Sequence, residues 1–375
     1  MHISILHNRD GDVLEEDPGR EAREDVVQVA AAVADALSKR GVEVDQVPVG
    51  SDLSEVAEAL KRHRPDAVLN LCESLAADSR GEMAIPCWLD VLGIPYTGSA
   101  ALALGLCLHK DKAKELLFAR GVPTPSFRVV ETIDELAKVD LGFPLIVKPS
   151  REDASVGIDF SSVVHDRTGL RRAVLSCLRT FHQPALVESY IDGREIYVPL
   201  LGNGDRHALP LTEIAFGKAF EGKPRILSYR AKWELTSAEC IESPSVECAL
   251  DGRTQARVVA TALAAFQALG CRDYGRVDLR LGADGCPYVI DINPNCDLHP
   301  DAGFAKAARA AGIEYADLAL KLVDLALERT HGHSTSRRSG QGTARRPAAP
   351  NRDVLAPRSA VRARADRPRA AAEQP

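Results

Sequence analysis

The sequence predicts an α/β chain that opens on a parallel, Rossmann-like sheet and closes on a hairpin with one apolar and one polar face. Three observations carry this. Residues 2–71 alternate strand and helix patterns as β-α-β-α-β, the order that a parallel sheet with crossover helices requires. Residues 277–292 hold two alternating strands around the turn-forming Gly282-Ala-Asp-Gly285. Over 375 residues the hydrophobic fraction is 45%, and no apolar run approaches the ~20 residues that a membrane span needs. A chain of this length has room for two or three subdomains and a sizeable core.

Residues 2–6 alternate as a strand. Val26, Val27, Ala30, Val33, Ala34 and Leu37 then recur at helical spacing over residues 24–40, and Gly41 stops the helix. A strand over 42–47, a helix over 53–63 and a strand over 67–71 complete the unit. No Gly-x-Gly-x-x-Gly follows the first strand, which speaks against a dinucleotide site there. The acidic loop from Asn8 to Glu24 is expected at the carboxyl edge of the sheet, where such folds bind ligands.

Helix 82–92 leads to Gly93-Ile-Pro-Tyr-Thr-Gly-Ser99 and then to a helix opened by His109-Lys110-Asp-Lys112-Ala-Lys114 and ended at Gly121. Lys110 and Lys114 share one helical face, which a solvated surface explains most simply. Pro123 and Pro125 mark a linker. The apolar strand Pro144–Ser150 carries Lys148 into a small-residue loop with Ser155 and Gly157. An ammonium beside free backbone N–H groups suits phosphate, and an ordinary turn fits the same residues. After helix 169–180, the strand ending at Glu188 breaks at Asp192-Gly193 and resumes at Glu195. Such a hinge offers backbone groups to a base edge and a carboxylate to a ribose diol; it also fits an edge hairpin with two solvated acids. The stretch 213–244, with Tyr229, Lys232 and Trp233 among charges, reads as irregular, and a loop this long is usually functional or a lid. Helix 254–269 delivers the chain to the hairpin.

Register in the hairpin follows from arithmetic. A four-residue loop, Ala283–Cys286, pairs Gly282 with Pro287, Leu279 with Ile290 and Val277 with Ile292. It also sets Asp278 opposite Asp291 and Arg276 opposite Asn293. One face is then apolar and the other polar, whereas a three-residue loop mixes them. Two facing carboxylates repel unless a cation lies between them, and a hard divalent ion with oxygen ligands is the usual solution. A polar face that simply meets water is the competing account.

Taken in order, Lys110, the Lys148-Pro-Ser150 strand with its loop, Glu188 with Glu195, Lys232, and Arg276 with Asp278, Asp291 and Asn293 resemble the ATP-grasp superfamily. The branch they look most similar to is the D-alanine:D-alanine ligases, over roughly residues 65–328 and including Ile94-Pro-Tyr-Thr-Gly-Ser99. The resemblance implies an α/β fold (α+β ATP-grasp) in which a Rossmann-like subdomain, 1–100, precedes two α+β subdomains, 101–184 and 185–330, that clasp ATP. It implies an ADP-forming ligase that activates a carboxylate as an acyl phosphate for attack by an amine. ATP would meet Lys110, Lys148, Ser155, Gly157 and Lys232, with Glu188 and the backbone at Ile191 on adenine and Glu195 on ribose. Asp278, Asp291 and Asn293 would hold magnesium, or manganese in its place. Arg276, Lys232 and Ser150 would act on the transferring group. The loop from Ser150 to Gly157 would close over the phosphates and exclude water.

The departures concern the substrate. The ligases usually carry Glu where this chain has Asp291. Their Gly-Gly-x-Ser-x-Glu loop is here Leu6-His7-Asn8-Arg9-Asp10-Gly11, with Glu21 or Glu24 as substitutes for its acid. Their His-Gly and Gly-Glu-Asp-Gly signature is reduced to Leu71-Cys72-Glu73 and Gly81-Glu82. Their Asn-Thr-x-Pro-Gly-Met-Thr run is replaced by Asn293-Pro-Asn-Cys-Asp297-Leu-His299-Pro300-Asp301. An acid at 297, near where the family seats an acceptor carboxylate, disfavours a simple D-amino acid. His299 is a candidate base for the amine or a structural residue, and no step needs Cys296 as a nucleophile.

The expected activity is therefore a carboxylate–amine ligase acting on small amino-acid-like substrates. A genuine D-alanine:D-alanine ligase is the alternative within the class, and a catalytically silent ATP-binding regulator the alternative outside it. Nine cysteines, an odd number without a Cys-x-x-Cys pair, argue against both a disulfide framework and a zinc site. The N-terminus lacks a signal-peptide pattern, so a cytoplasmic protein is expected. Residues 331–375 hold ten arginines against three acids and almost no large apolar residues, which predicts a disordered tail. That tail is either a solvated extension or an arm for nucleic acid; a homodimer is left open.

Overall fold

In the computed structural model, residues 1–9, 20–76 and 78–338 are described, the side chains of 20–25 and 330–338 excepted. Residues Met1–His333 form one compact unit, and α-helical residues 334–338 are the described part of a second. The first begins with β1 (His2–Asn8), α1 (Arg20–Ser38), β2 (Glu43–Val49), α2 (Leu53–His63) and β3 (Ala67–Asn70). These strands form a parallel sheet in the order β2-β1-β3, as the alternation predicts. α2 starts where the Asp52 side chain accepts from Ser54 N and stops where Arg64 turns left-handed. Glu21 and Glu24, the substitutes considered for the family's acid, have side chains outside the described residues, as does most of the loop before them.

α3 (Ala84–Leu92), α4 (Ala101–Leu108) and α5 (Lys110–Ala119) lead to a four-stranded sheet. It comprises β4 (Phe127–Val130), β5 (Leu145–Pro149), β6 (Val163–Val164) and, after α6 (Arg167–Phe181), β7 (Ala185–Ser189), in the order β4-β7-β5-β6. Two expected groupings shift here. The change of sheet falls after Ser189 and not at 184, because β7 pairs with both β4 and β5. Likewise α4 and α5, assigned by sequence to the segment 101–184, bury Ala103, Cys107, Ala113 and Leu117 in the core of the next sheet.

That sheet holds β8 (Arg194–Leu201), β9 (His207–Ala208) and β10 (Thr212–Ile214). Short helices α7 (Tyr229–Trp233) and α8 (Ala238–Ile241) and strand β11 (Ser245–Glu247) follow, so the stretch expected to be irregular contains regular pieces. α9 (Gly252–Ala268), β12 (Tyr274–Leu281) and β13 (Pro287–Asn293) complete it, in the order β11-β10-β8-β12-β13 with β9 on β8. α10 (Gly303–Ala310) and α11 (Tyr315–Arg338) return to the first sheet, where Phe304, Leu318 and Leu322 pack with Ile3 and Ile5. α11 runs eight residues into the segment read as disordered from 331; residues 339–375 lie outside the described ones. Among the described residues no helix is long and apolar enough to cross a membrane.

Candidate active site

The hairpin that organises the sequence is close to its predicted register and departs from it at one point. Arg276 pairs with Asn293, Val277 with Ile292 and Asp278 with Asp291, as expected. Beyond Asp278 a β-bulge shifts the pairing, so Leu279 faces Val289 and not Ile290, and Leu281 rather than Gly282 faces Pro287. The cause is packing. Val289 and Ile292 are both in the core beside Val277 and Leu279, and residues three apart share a sheet face only if the strand bulges between them. The surplus residue, Ile290, lines a cavity, and its carbonyl lies 3.5 Å from Nζ of Lys148.

That cavity lies among β5, the β7–β8 hinge and the polar face of the hairpin. Its lining includes Lys110, Lys148, Ser155, Glu188, Ile191, Glu195, Lys232, Arg276, Asp278, Asp291 and Asn293, so eleven sequence-predicted residues converge. Ser150 and Gly157 are not in the lining. Ser150 is fully buried under the strand end, and its backbone carbonyl accepts from Lys110 N at 3.0 Å. Gly157, at φ +75°, is where the loop passes so close to Phe181 and Pro149 that a Cβ would meet each at 2.7 Å. The loop is pinned by Trp233 Nε1 donating to the Ala154 carbonyl at 3.0 Å.

The solvated face expected for Lys110 and Lys114 is absent: both are buried. Lys110 Nζ donates to Asp153 at 2.8 Å and to Asp291 at 2.9 Å. Burial works against its charge, but these two carboxylates hold its pKa above the ordinary lysine value. Lys114 lies 2.9 Å from Glu188, which lies 3.0 Å from Lys148. Burial, reinforced by the charge of Lys148, lowers Lys114 to about 8 despite Glu188. Burial would raise Glu188; the two lysines outweigh it and keep its carboxyl below the ordinary value.

Asp278 and Asp291, facing each other, each have a cationic partner. Arg276 grips Asp278 through Nε at 2.6 Å and Nη2 at 2.8 Å, while Lys110 holds Asp291. Asn293 donates to Asp278 at 3.2 Å. Even so, burial raises the pKa of Asp278. Two carboxylates and an amide on one face of the hairpin offer an all-oxygen donor set that fits a hard divalent cation.

A second cavity adjoins the first. Glu152, Asp153, Ala154, Lys232, Arg276 and Asn293 line both, so the loop after Ser150 is the wall between them. The second is lined further by Val26, Glu73, Glu82, Asn295, Cys296 and Asp297. Glu82 accepts from Asn295 at 2.9 Å, and burial holds its carboxyl well above the ordinary range. Lys232 stands at the junction, its pKa lowered by burial and then by Arg276. His299 lines neither cavity; its ring accepts from Asp301 N at 3.2 Å, and its own N donates to Asp297 at 2.6 Å, a local turn. Cys296 is buried, and burial pushes its thiol up to about 12, the opposite of an activated nucleophile.

Sequence reasoning passed over two contributors. Arg280 is buried, donates to Glu195 at 2.6 Å and lines the first cavity. It is two residues beyond Asp278, so extending the polar face of the strand by one step finds it. Lys114 carried a signal too, its helical spacing from Lys110, but spacing alone does not tell a buried face from a solvated one.

Comparisons with known proteins identify the family. A family model described as D-ala D-ala ligase C-terminus matches residues 116–324, more than half of the chain. The chain is 31% identical to a D-alanine–D-alanine ligase of Pelotomaculum thermopropionicum over 83% of its own length and 95% of the relative's. It is 36% identical to an uncharacterized protein of Sinorhizobium fredii over 71% of this chain and 76% of that one. Among solved structures, the Bacillus anthracis D-alanine–D-alanine ligase complexed with ATP is similar at a TM-score of 0.68 and 26% identity, covering 89% of this chain and 99% of that one. With its three sheets in this order and the predicted residues around one cavity, the chain belongs to the D-alanine–D-alanine ligase family and has its α+β ATP-grasp fold.

Proposed function

We propose that the protein is an ATP-dependent carboxylate–amine ligase that forms an amide through an acyl phosphate on a small amino-acid-like substrate. One observation carries the reading: a cation-lined cavity at a strand hinge opens onto a second cavity across a shared wall, with Lys232 and Arg276 at the junction. A phosphoryl group held in the first would face a carboxylate held in the second, and proximity of that kind is a large part of such catalysis.

The residues divide the work as follows. Lys148 and Lys110 face the phosphates, Lys148 oriented by the buried Glu188 and Lys110 by Asp153 and Asp291. The backbone at Ser189–Ile191 meets the base, Glu188 fixes Lys148 beside it, and Glu195, held by Arg280 and Tyr197, faces the ribose. Asp278, Asp291 and Asn293 would hold magnesium, or manganese, which supplies neutralisation of phosphate oxygens when bound. Arg276 and Lys232 stabilise charge on the transferring group and on the oxyanion that follows. The Glu152–Ala154 wall, pinned by Trp233, keeps water from the intermediate. Asp297 in the lining of the second cavity favours an acceptor that places no carboxylate there. Residues 331–375 and a second subunit are assigned no part in the reaction.

The test is ADP release across D-amino acids, L-amino acids and plain amines, with hydroxylamine added to trap an activated acid as its hydroxamate. Hydroxamate formation dependent on one class of acid supports the ligase. ATP binding without ADP release or hydroxamate would make the protein a silent nucleotide-binding regulator, and efficient D-alanine dimerisation would make it a D-alanine:D-alanine ligase.

A further inference from the structure

Away from both cavities, three side chains from three elements converge at one edge of the N-terminal sheet: His2 on β1, Asp45 on β2 and His63 in the last turn of α2. Nε2 of His2 lies 2.5 Å from Oδ1 of Asp45, and Nδ1 of His63 lies 3.5 Å from the same oxygen. The three ligand atoms all lie within 4.8 Å of one another, and this is the one such histidine, cysteine and carboxylate group among the described residues. The two rings meet edge to face, with centroids 6.1 Å apart.

The carboxylate is supported from behind. Parallel pairing sets Ser4 opposite Asp45, and the Ser4 hydroxyl, fully buried, donates to Oδ2 of Asp45 at 2.9 Å. That bond occupies one carboxylate oxygen and leaves the other to face both imidazoles. The N-terminal end of the strand is fixed as well, since His2 N donates to Asp66 at 2.8 Å. A first set of donors held by an outer hydrogen bond is how proteins orient ligands toward a metal.

We propose that His2, Asp45 and His63 bind a borderline divalent transition ion, zinc above all, with water in the fourth position. Two imidazoles and one carboxylate are a zinc donor set, whereas magnesium and calcium prefer oxygen alone. Tetrahedral bonds of about 2.0–2.2 Å place neighbouring ligand atoms roughly 3.4 Å apart. The His63–Asp45 separation already matches, and the His2–Asp45 contact opens by about 1 Å as the ion replaces the proton between them. No residue of this site lines either cavity.

The experiment uses the full chain, stripped with a chelator and titrated with zinc against a chromophoric competitor, then with cobalt followed by visible absorption. One zinc equivalent, a tetrahedral cobalt spectrum and a thermal midpoint raised by zinc are expected. All three persist in Asp291→Ala, which removes a proposed magnesium ligand, and vanish in His63→Ala and Asp45→Asn. Ser4→Ala weakens the affinity roughly tenfold, as loss of an outer-shell bond does. The metal-free midpoint of His63→Ala controls for folding, since this side chain is 32% exposed at a helix end. Zinc binding that survives His63→Ala, or that disappears in Asp291→Ala, overturns the assignment. So does the absence of a bound equivalent, which leaves a proton-bridged histidine–aspartate pair.

Discussion

The two cavities share a wall and are built in opposite ways. The first cavity is made largely of strand residues whose charges meet in pairs, buried for Lys148 with Glu188 and Arg280 with Glu195 and partly buried for Lys110 with Asp291 and Arg276 with Asp278. The second cavity is made largely of helix and loop residues, and its acid Asp297 is exposed. Buried pairs are expensive to disturb, because removing one partner leaves an uncompensated charge. Exposed charges are cheap to change. The proposed chemistry therefore falls in the more buried region, and the proposed selectivity where substitution costs little.

The strongest test of this contrast is Asp291→Ala. It removes a carboxylate from the centre of the first cavity but leaves Lys110 bonded to Asp153. Turnover in an ADP-release assay should fall about a hundredfold to a thousandfold, the scale seen when an electrostatic stabiliser is removed, while circular dichroism shows a folded chain. Retained turnover would mean that the facing carboxylates are only structural.

Next in size is Glu188→Ala, which strands Lys114 and Lys148 in the interior. Denaturant unfolding should show a loss of about 3–5 kcal/mol. Loss of well under 1 kcal/mol would show that water reaches these lysines and that the first cavity is not the rigid one.

Lys114 gives a pH test of the same burial. Its pKa is about 8 in the folded protein against 10.5 ordinarily, so the unfolded chain binds the extra proton between those values. Stability therefore rises with pH across that window, by up to about 3 kcal/mol relative to Lys114→Met. Parallel stability profiles for the two proteins from pH 8 to 10.5 would contradict it.

The smallest effect is expected at Asp297→Asn. Because the side chain is exposed, solvent screens it, and preference between acceptors with and without a carboxylate should change by only about tenfold. ATP affinity should not change. An effect on ATP affinity as large as that on acceptor choice would erase the distinction between the cavities.

Much of the first cavity was legible in the sequence for a physical reason: strands alternate. Arg276, Asp278, Asp291 and Asn293 fall on one face by period alone. The same period ends where packing intervenes. The bulge at Ile290 follows from Val289 and Ile292 both seeking the core, a preference that simple alternation does not register. Ser150 and His299 looked chemical by type and neighbourhood, yet one is packed under a strand end and the other closes a local turn.

What the sequence determined by itself was the order of elements, the polar face of β12 and β13 and most of the residues that line the first cavity, because periodicity and turn chemistry are local. Only the tertiary structure decided that Lys110 and Lys114 are buried, that α4 and α5 dock on the last sheet and that α11 returns to the first. It also decided that the loop after Ser150 divides one cavity from another. Each of these depends on residues far apart in the chain meeting to exclude water, and burial, register and charge partnership exist only once that meeting has occurred.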